Sequence, residues 1–249
     1  MASISAQTFR DFEIIVVDGN STDETPEVID GFRDLPMRCF KDVGRGVYAA
    51  MNQGVREISG IWGILMNAGD CFYDETVLEK FTAPVDAELA YGRAWLEDRS
   101  RSFVYRPFDE IWKGNVFCHQ ALFARVEIMK RFPFRENLRV VADYAFYIES
   151  LKAGHRFVPI DLDVAVIEPG GISSGSGIRR TIERYPIAKN AFPEMPVTRY
   201  YFRLFLQQIG AKIIPGRTAM LRRLKRFVRL RAGADSKSYN RSGRGKKQS

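Results

Sequence analysis

The chain has 249 residues, 45% of them hydrophobic, enough for one large domain with a real core, alone or with appendages. Its formal charge of +8 is unevenly placed: from Arg199 onward fifteen Lys/Arg face one acid, Asp235, whereas the preceding residues hold twenty-three basic against twenty-nine acidic side chains. An acidic body with a basic tail points to a polyanionic partner, membrane or nucleic acid. No apolar run approaches the roughly 18 residues of a membrane span, and no secretory leader is expected.

Phe12 to Val17 is a β-branched run that stops at Asp18-Gly19-Asn20-Ser21, the pattern of a buried parallel strand and a turn. Ser21 or Asp23 can cap a helix over 24–34, and Met37 to Phe40 reads as a short strand. Val47, Met51, Val55 and Ile58 recur at helical spacing, predicting a helix over 46–58. Ile61 to Met66 is the next strand, followed by a helix at 75–81 and strands at 88–95 and 102–106. A strand beginning within Cys118–Phe123 leads into a helix at 125–131, and Asp143 opens a helix on which Tyr144, Ile148 and Leu151 share a face. Gly154 ends that helix, and strand structure returns over 157–167. Alternating strands and helices argue for an open α/β sheet in the first half. Residues 198–214 and 217–231 read as helices. In the second, Leu221, Leu224 and Val228 line one side, and Arg222, Arg223, Lys225, Arg226 and Arg229 line the other. After Gly233 the composition is that of a disordered basic tail. Cys39, Cys71 and Cys118 are odd in number, widely spaced and match no metal-ligand pattern, so free thiols in a reducing compartment are expected.

Ligands of open α/β sheets bind beyond the carboxyl ends of strands, and two acids sit there, Asp18 and Asp70. Asp18 is suited to a nucleotide's base or ribose, and Asp70, in Asn67-Ala68-Gly69-Asp70, to a hard divalent cation. Both also fit ordinary Asp-Gly and Gly-Asp turn chemistry. Asp143 at a helix N-terminus would stay ionised, ready to accept a proton, or would merely cap the helix. Arg45 suits a diphosphate but equally a solvated surface. Asn52 lies one turn beyond Tyr48. His155, just past a helix end, reads as structural.

The ordered segments AQTFRDFEIIVVDGNSTDET, GRGVYAAMNQG and SGIWGILMNAGDCF, followed by FCHQALFARV and VVADYAFYIES, resemble family 2 glycosyltransferases of the GT-A fold, most closely the colanic-acid-type polysaccharide enzymes. The resemblance spans about residues 3–173. It implies an α/β fold, an open mixed sheet flanked by helices over 1–195, to which the chain adds an amphipathic basic helical region at 196–232 and a disordered tail at 233–249. It further implies an inverting transferase that moves a hexose-type sugar from a UDP- or GDP-sugar to a lipid-linked or polysaccharide acceptor, with Mg²⁺ or Mn²⁺. On this resemblance Asp143 is the base, Asp70 the metal ligand, and Asp18, Arg45, Asn52, Asn67, His119 and Gln120 line the donor site. Asn67 stands where the family's Asp-x-Asp region has its first acid, which weakens the expected metal affinity. Gly170 to Ser173 matches a late glycine loop that would wall the acceptor or diphosphate, or would simply connect.

The basic helix at 217–231 suggests attachment to the anionic inner face of the membrane from the cytoplasm. A solvated helix packed by its Leu/Val face remains open, and nucleic-acid binding is disfavoured because no recognition motif accompanies the charge. Family members begin with a strand, a Thr-Tyr-Asn-like loop and a helix before the QTF segment. Met1 to Ala6 supplies only the end of that helix, so a central strand is expected upstream. The rival reading is an impaired remnant that binds nucleotide or a partner weakly.

Overall fold

The structure, a computed structural model, describes residues 1–41, 46–97, 102, 106–168 and 177–213, with backbone alone at 211–213. Arg45, the 170–173 loop, most of the 102–106 strand, the 217–231 helix and the basic tail lie outside the described residues. The chain divides into two compact units, Met1–Tyr201 and Phe202–Ser249.

The helix α1 (Ala2–Ser5) is followed by Gln7, whose fully buried amide bonds the Ser3 and Asp74 carbonyls and the Leu78 amide. β1 (Ile14–Asp18) and β2 (Met37–Lys41) pair in parallel, with Ile14 opposite Met37 and Asp18 opposite Lys41. The crossover carries α2 (Thr25–Asp30), shorter than the predicted 24–34 helix. α3 (Val47–Glu57) packs on β1 through Gly54, where a Cβ would sit 3.3 Å from Val17.

The larger sheet has five strands: β3 (Trp62–Gly63), β4 (Cys71–Phe72), β5 (Leu89–Leu96), β6 (Leu122–Arg125) and β7 (Phe157–Ile167), ordered β3-β6-β5-β7-β4. Only β5 and β7 run parallel; the other pairs are antiparallel, giving a mixed sheet. Period-two alternation sorts its side chains into two cores. Leu89, Leu122 and Ala124 join the cluster built from α5 (Val126–Arg131) and α6 (Ala142–Lys152), while Ala90, Ala94, Phe123, Val164 and Ala165 join Phe72 and Val77 of α4 (Val77–Lys80). α6 is apolar nearly all round because seven of its eleven residues are buried. At Gly92 β5 and β7 come so close that a Cβ would strike the Leu162 carbonyl.

The predicted strand Ile61–Met66 keeps regular pairing only at Trp62–Gly63. Beyond it Leu65 packs toward one core, and Ile64 and Met66 toward the other, so the apolar alternation persists without a ladder. Among the described residues no strand lies alongside 64–66, which is why hydrogen-bonded pairing stops there. The strand expected from Cys118 starts later: His119–Ala121 is a 3₁₀ turn, and β6 follows at Leu122. α7 (Gly177–Ala191) carries Pro186 inside it, which hides its helical pattern in the sequence, and α8 spans Val197–Ile213. No helix among the described residues is long and apolar enough to cross a membrane. Cys39, Cys71 and Cys118 are free thiols.

Candidate active site

Asp70 closes the turn after the 61–66 segment. Gly69 adopts a left-handed φ of 92°, and the Asp70 amide donates to the Asn67 carbonyl at 3.1 Å. Its carboxylate accepts from Gln120 Nε2 at 2.8 Å and from the Glu168 amide at 3.2 Å. A Cβ at Gly69 would collide with the Glu168 carboxylate, so a second acid lies over this turn. Glu168 carried no sequence signal. It arrives because Cys71 of β4 pairs with Val166 of β7, which sets the residue after β7 beside the residue before β4.

His119 and Gln120 are neighbours in one 3₁₀ turn and reach different partners. Gln120 holds Asp70, while His119 Nε2 lies 3.1 Å from Asn67 Nδ2 and its Nδ1 lies 3.9 Å from Asp143 Oδ2. An amide nitrogen can only donate, so Nε2 accepts from Asn67, and Nδ1, the nitrogen facing Asp143, is the one left to donate. One turn thereby joins the Asp70 motif to Asp143.

Asp143 is the second residue of α6, after Val141 at the cap position, so it does not occupy the cap itself. Its Oδ1 accepts the Tyr144 amide at 2.7 Å and its Oδ2 accepts Asn115 Nδ2 at 2.6 Å. Its side chain keeps 15% of its surface exposed, an opening toward which a substrate hydroxyl could approach. Burial alone would raise the carboxyl pKa. His119 beside it, the positive charge of Arg184 and the Tyr144 amide outweigh that, and the net pKa falls below the ordinary Asp value. Tyr48 of α3 shares this surround: burial, then the negative charge of Asp143, pushes its phenol pKa upward.

The remaining predicted residues are placed differently. Asp18 ends β1 and accepts hydrogen bonds from the Ser21 amide at 3.0 Å and the Ser21 hydroxyl at 2.5 Å, a local turn with no contact to Asp70 or Asp143 among its hydrogen bonds. Asn52, expected to reach the nucleotide, is placed elsewhere in its hydrogen bonding. It is buried, and its amide is committed to the Phe134 amide and carbonyl at 2.8 Å and to Glu136 at 2.9 Å, so it clamps the loop before α6. His155 bonds Glu88 at 2.8 Å, as a structural histidine does.

Among the described residues no group of three or more His, Cys, Asp and Glu side chains could hold a metal. A cation there would have to take most of its ligands from substrate and water. Asp70 and Glu168 are hard oxygen donors, and one or two protein carboxylates are what Mg²⁺ commonly takes beside phosphates.

The sequence profile of Glycosyl transferase family 2 matches residues 1–158. A PGL/p-HBAD biosynthesis glycosyltransferase of Mycobacterium bovis is 33% identical over 201 residues, covering 75% of this chain and 77% of that protein, and Mycobacterium tuberculosis has one with the same figures. Among solved structures, S. aureus TarS 1–349 in complex with UDP superposes with a TM-score of 0.61 at 14% identity, covering 86% of this chain and 67% of that one. Mannosyltransferase PcManGT from Pyrobaculum calidifontis, in complex with GDP-Man and Mn²⁺, gives 0.60 at 17% identity over 90% and 74%. This mixed-sheet α/β chain belongs to glycosyl transferase family 2 and is a glycosyltransferase.

Proposed function

We propose that this chain is an inverting transferase that moves a hexose-type sugar from a UDP- or GDP-sugar to a saccharide or lipid-linked acceptor. The observation that carries the reading is the Asp143 carboxylate, kept ionised, partly open to solvent, and tied through His119 and Gln120 to Asp70. Asp143 accepts the proton of the acceptor hydroxyl as that oxygen bonds to the anomeric carbon and the nucleoside diphosphate departs. His119 stabilises and orients the carboxylate. Asp70 and Glu168 would hold Mg²⁺ or Mn²⁺, whose charge neutralises the departing diphosphate. Asp18, at the tip of β1, is assigned to the base or ribose of the donor. Solved structures of the same fold contain UDP, UDP-GlcNAc and GDP-Man, which supports a nucleotide-sugar donor. The sequence of 217–231, which on a helix would set Leu and Val on one side and Arg and Lys on the other, supports peripheral attachment to an anionic membrane surface.

Nucleoside diphosphate release from a panel of UDP- and GDP-hexoses, with Mn²⁺ or Mg²⁺ and with chelator, tests the reading. Turnover that disappears in Asp143→Asn while nucleotide binding persists supports it; a wild-type chain inert toward every donor in the panel refutes it. Asp70→Asn and Glu168→Gln should both raise the Mn²⁺ concentration needed for half-maximal rate, Asp70→Asn the more. For the membrane, flotation with phosphatidylserine vesicles compares the wild type with a chain in which Arg222, Arg223, Lys225 and Arg226 are Gln. Equal binding by the two would exclude the basic helix as the anchor.

A further inference from the structure

Asp143 has a second support that is absent from every motif. Asn115 follows Gly114 in the loop between the 3₁₀ helix Phe108–Lys113 and the His119 turn, and its amide nitrogen donates to Asp143 Oδ2 at 2.6 Å. The oxygen of the same amide accepts from Arg184 Nη2, on α7, at 2.9 Å. A carboxylate only accepts and a guanidinium only donates, so the two partners fix which way the Asn115 amide faces. The guanidinium also polarises that amide and strengthens its bond to the carboxylate.

Arg184 is itself held in place. Its guanidinium carbon lies 5.5 Å from the centre of the Tyr144 ring, the residue next to Asp143. Gly114 has φ 138°, a conformation that favours glycine, and a Cβ there would meet Arg184 Nη1 at 2.7 Å and push the guanidinium aside. One residue earlier on α7, Glu183 accepts from the Arg139 and Val140 amides at 3.2 and 3.0 Å, which pins α7 to the chain entering α6.

We infer that Arg184 is a positioning residue for the transfer reaction, acting through Asn115 to orient the Asp143 carboxylate toward the acceptor hydroxyl. This rests on the reading of Asp143 as the proton acceptor. Tyr144 and Asn115 occupy one lone pair on each carboxylate oxygen, leaving the others directed by that frame. Among the described residues the charged and titratable groups around Asp143 include His119 from the 3₁₀ turn, Tyr48 from α3 and Arg184 from α7, with Glu183 of α7 acting on Tyr48. Loss of Arg184 removes a cation from this set and frees the Asn115 amide to rotate.

The test compares Arg184→Met, Arg184→Lys and Asn115→Ala with Asp143→Asn in the full-length chain, following diphosphate release from UDP-GlcNAc and GDP-mannose across pH. Arg184→Met and Asn115→Ala should lower kcat by on the order of 10- to 100-fold with donor KM unchanged, since misplacing a reacting group costs rate rather than ground-state binding. Arg184→Lys should recover part of the loss, and the acid limb of kcat should move to higher pH in Arg184→Met. Wild-type kcat and acid limb in both Arg184→Met and Asn115→Ala, with Asp143→Asn inactive, would make Arg184 a packing residue and overturn the inference alone. Full activity in Asp143→Asn would instead overturn the reading of the base. Should Arg184→Met fail to fold, Asn115→Ala carries the comparison with the guanidinium in place. A ¹³C-carboxyl titration of Asp143 decides independently of any donor: its midpoint should rise in Arg184→Met, and an unmoved midpoint refutes the coupling.

Discussion

The five-stranded sheet and the β1–β2 pair present their acids in contrasting ways. The larger sheet is covered on both faces: Leu89, Ala90, Ala94, Val164 and Ala165 are fully buried, and Phe123 is nearly so. Asp70, at its rim, and Asp143, on the α6 helix packed against it, are cross-braced by residues from four separate segments, at 67, 115, 119–120 and 168. The β1–β2 pair is a strand, a helix and a strand in sequence, with Ile15, Val16 and Val17 only half-buried despite a composition suited to a strand covered on both faces. Among the described residues its acid, Asp18, bonds Ser21, three residues away. A carboxylate braced by many distant segments is preorganised for a reaction, whereas one held by its own turn is free to adjust to a ligand.

That contrast can be broken most directly at the acids. Asp143→Asn should lower kcat by about 10²- to 10⁴-fold with donor affinity retained, whereas Asp18→Asn should raise donor KM and leave kcat nearly unchanged, measured by steady-state diphosphate release. Equal kcat effects at both positions would erase the distinction. The folding counterpart compares Phe123→Ala, expected to cost about 3–5 kcal/mol in denaturant unfolding, with Val16→Ala, expected to cost about 1 kcal/mol because Val16 is only partly buried. Asn52→Ala should cost about 1–3 kcal/mol, since it strands the Phe134 amide and carbonyl, while donor KM stays at the wild-type value.

The smallest expected effect is at Glu13, just before β1, which accepts from the Ser59 amide at 2.6 Å, the Ser59 hydroxyl, the Gly60 amide and Arg38. Burial opposes its ionisation, but these donors prevail and draw its pKa down to about 2 from the ordinary 4.5. A folded-state pKa below the unfolded one contributes stability above the unfolded value and loses it as pH falls through the folded one. Glu13→Gln should therefore cost about 1 kcal/mol at neutral pH, with the difference from wild type shrinking between pH 4.5 and about 2 in a pH series of thermal melts.

Much of the fold was legible because local pattern and tertiary demand agree. The β-branched run at Ile14–Val17, the helical spacing from Val47 to Val55 and the apolar face of α6 all formed the elements they predict. Ile64 to Met66 did not become a paired strand, since a ladder needs a neighbouring chain and periodicity reports only which face is buried. α7 is not legible in the sequence because its Gly177 start and internal Pro186 contradict helix propensity, an objection that its packing against α6 overrides.

Sequence by itself settled the chemistry on offer: acids at strand and helix ends, a His-Gln pair, and the ordered motifs of a family. Only the tertiary structure decided how those groups are braced. Strand register set Glu168 beside Asp70, a 3₁₀ turn aimed His119 and Gln120 at two different acids, and α7 delivered Arg184 to Asn115, while Asn52 was drawn into a structural clamp. The physical reason is that residue type fixes what a group can donate or accept, but which partner it meets is determined by long-range pairing and packing that no local spacing encodes.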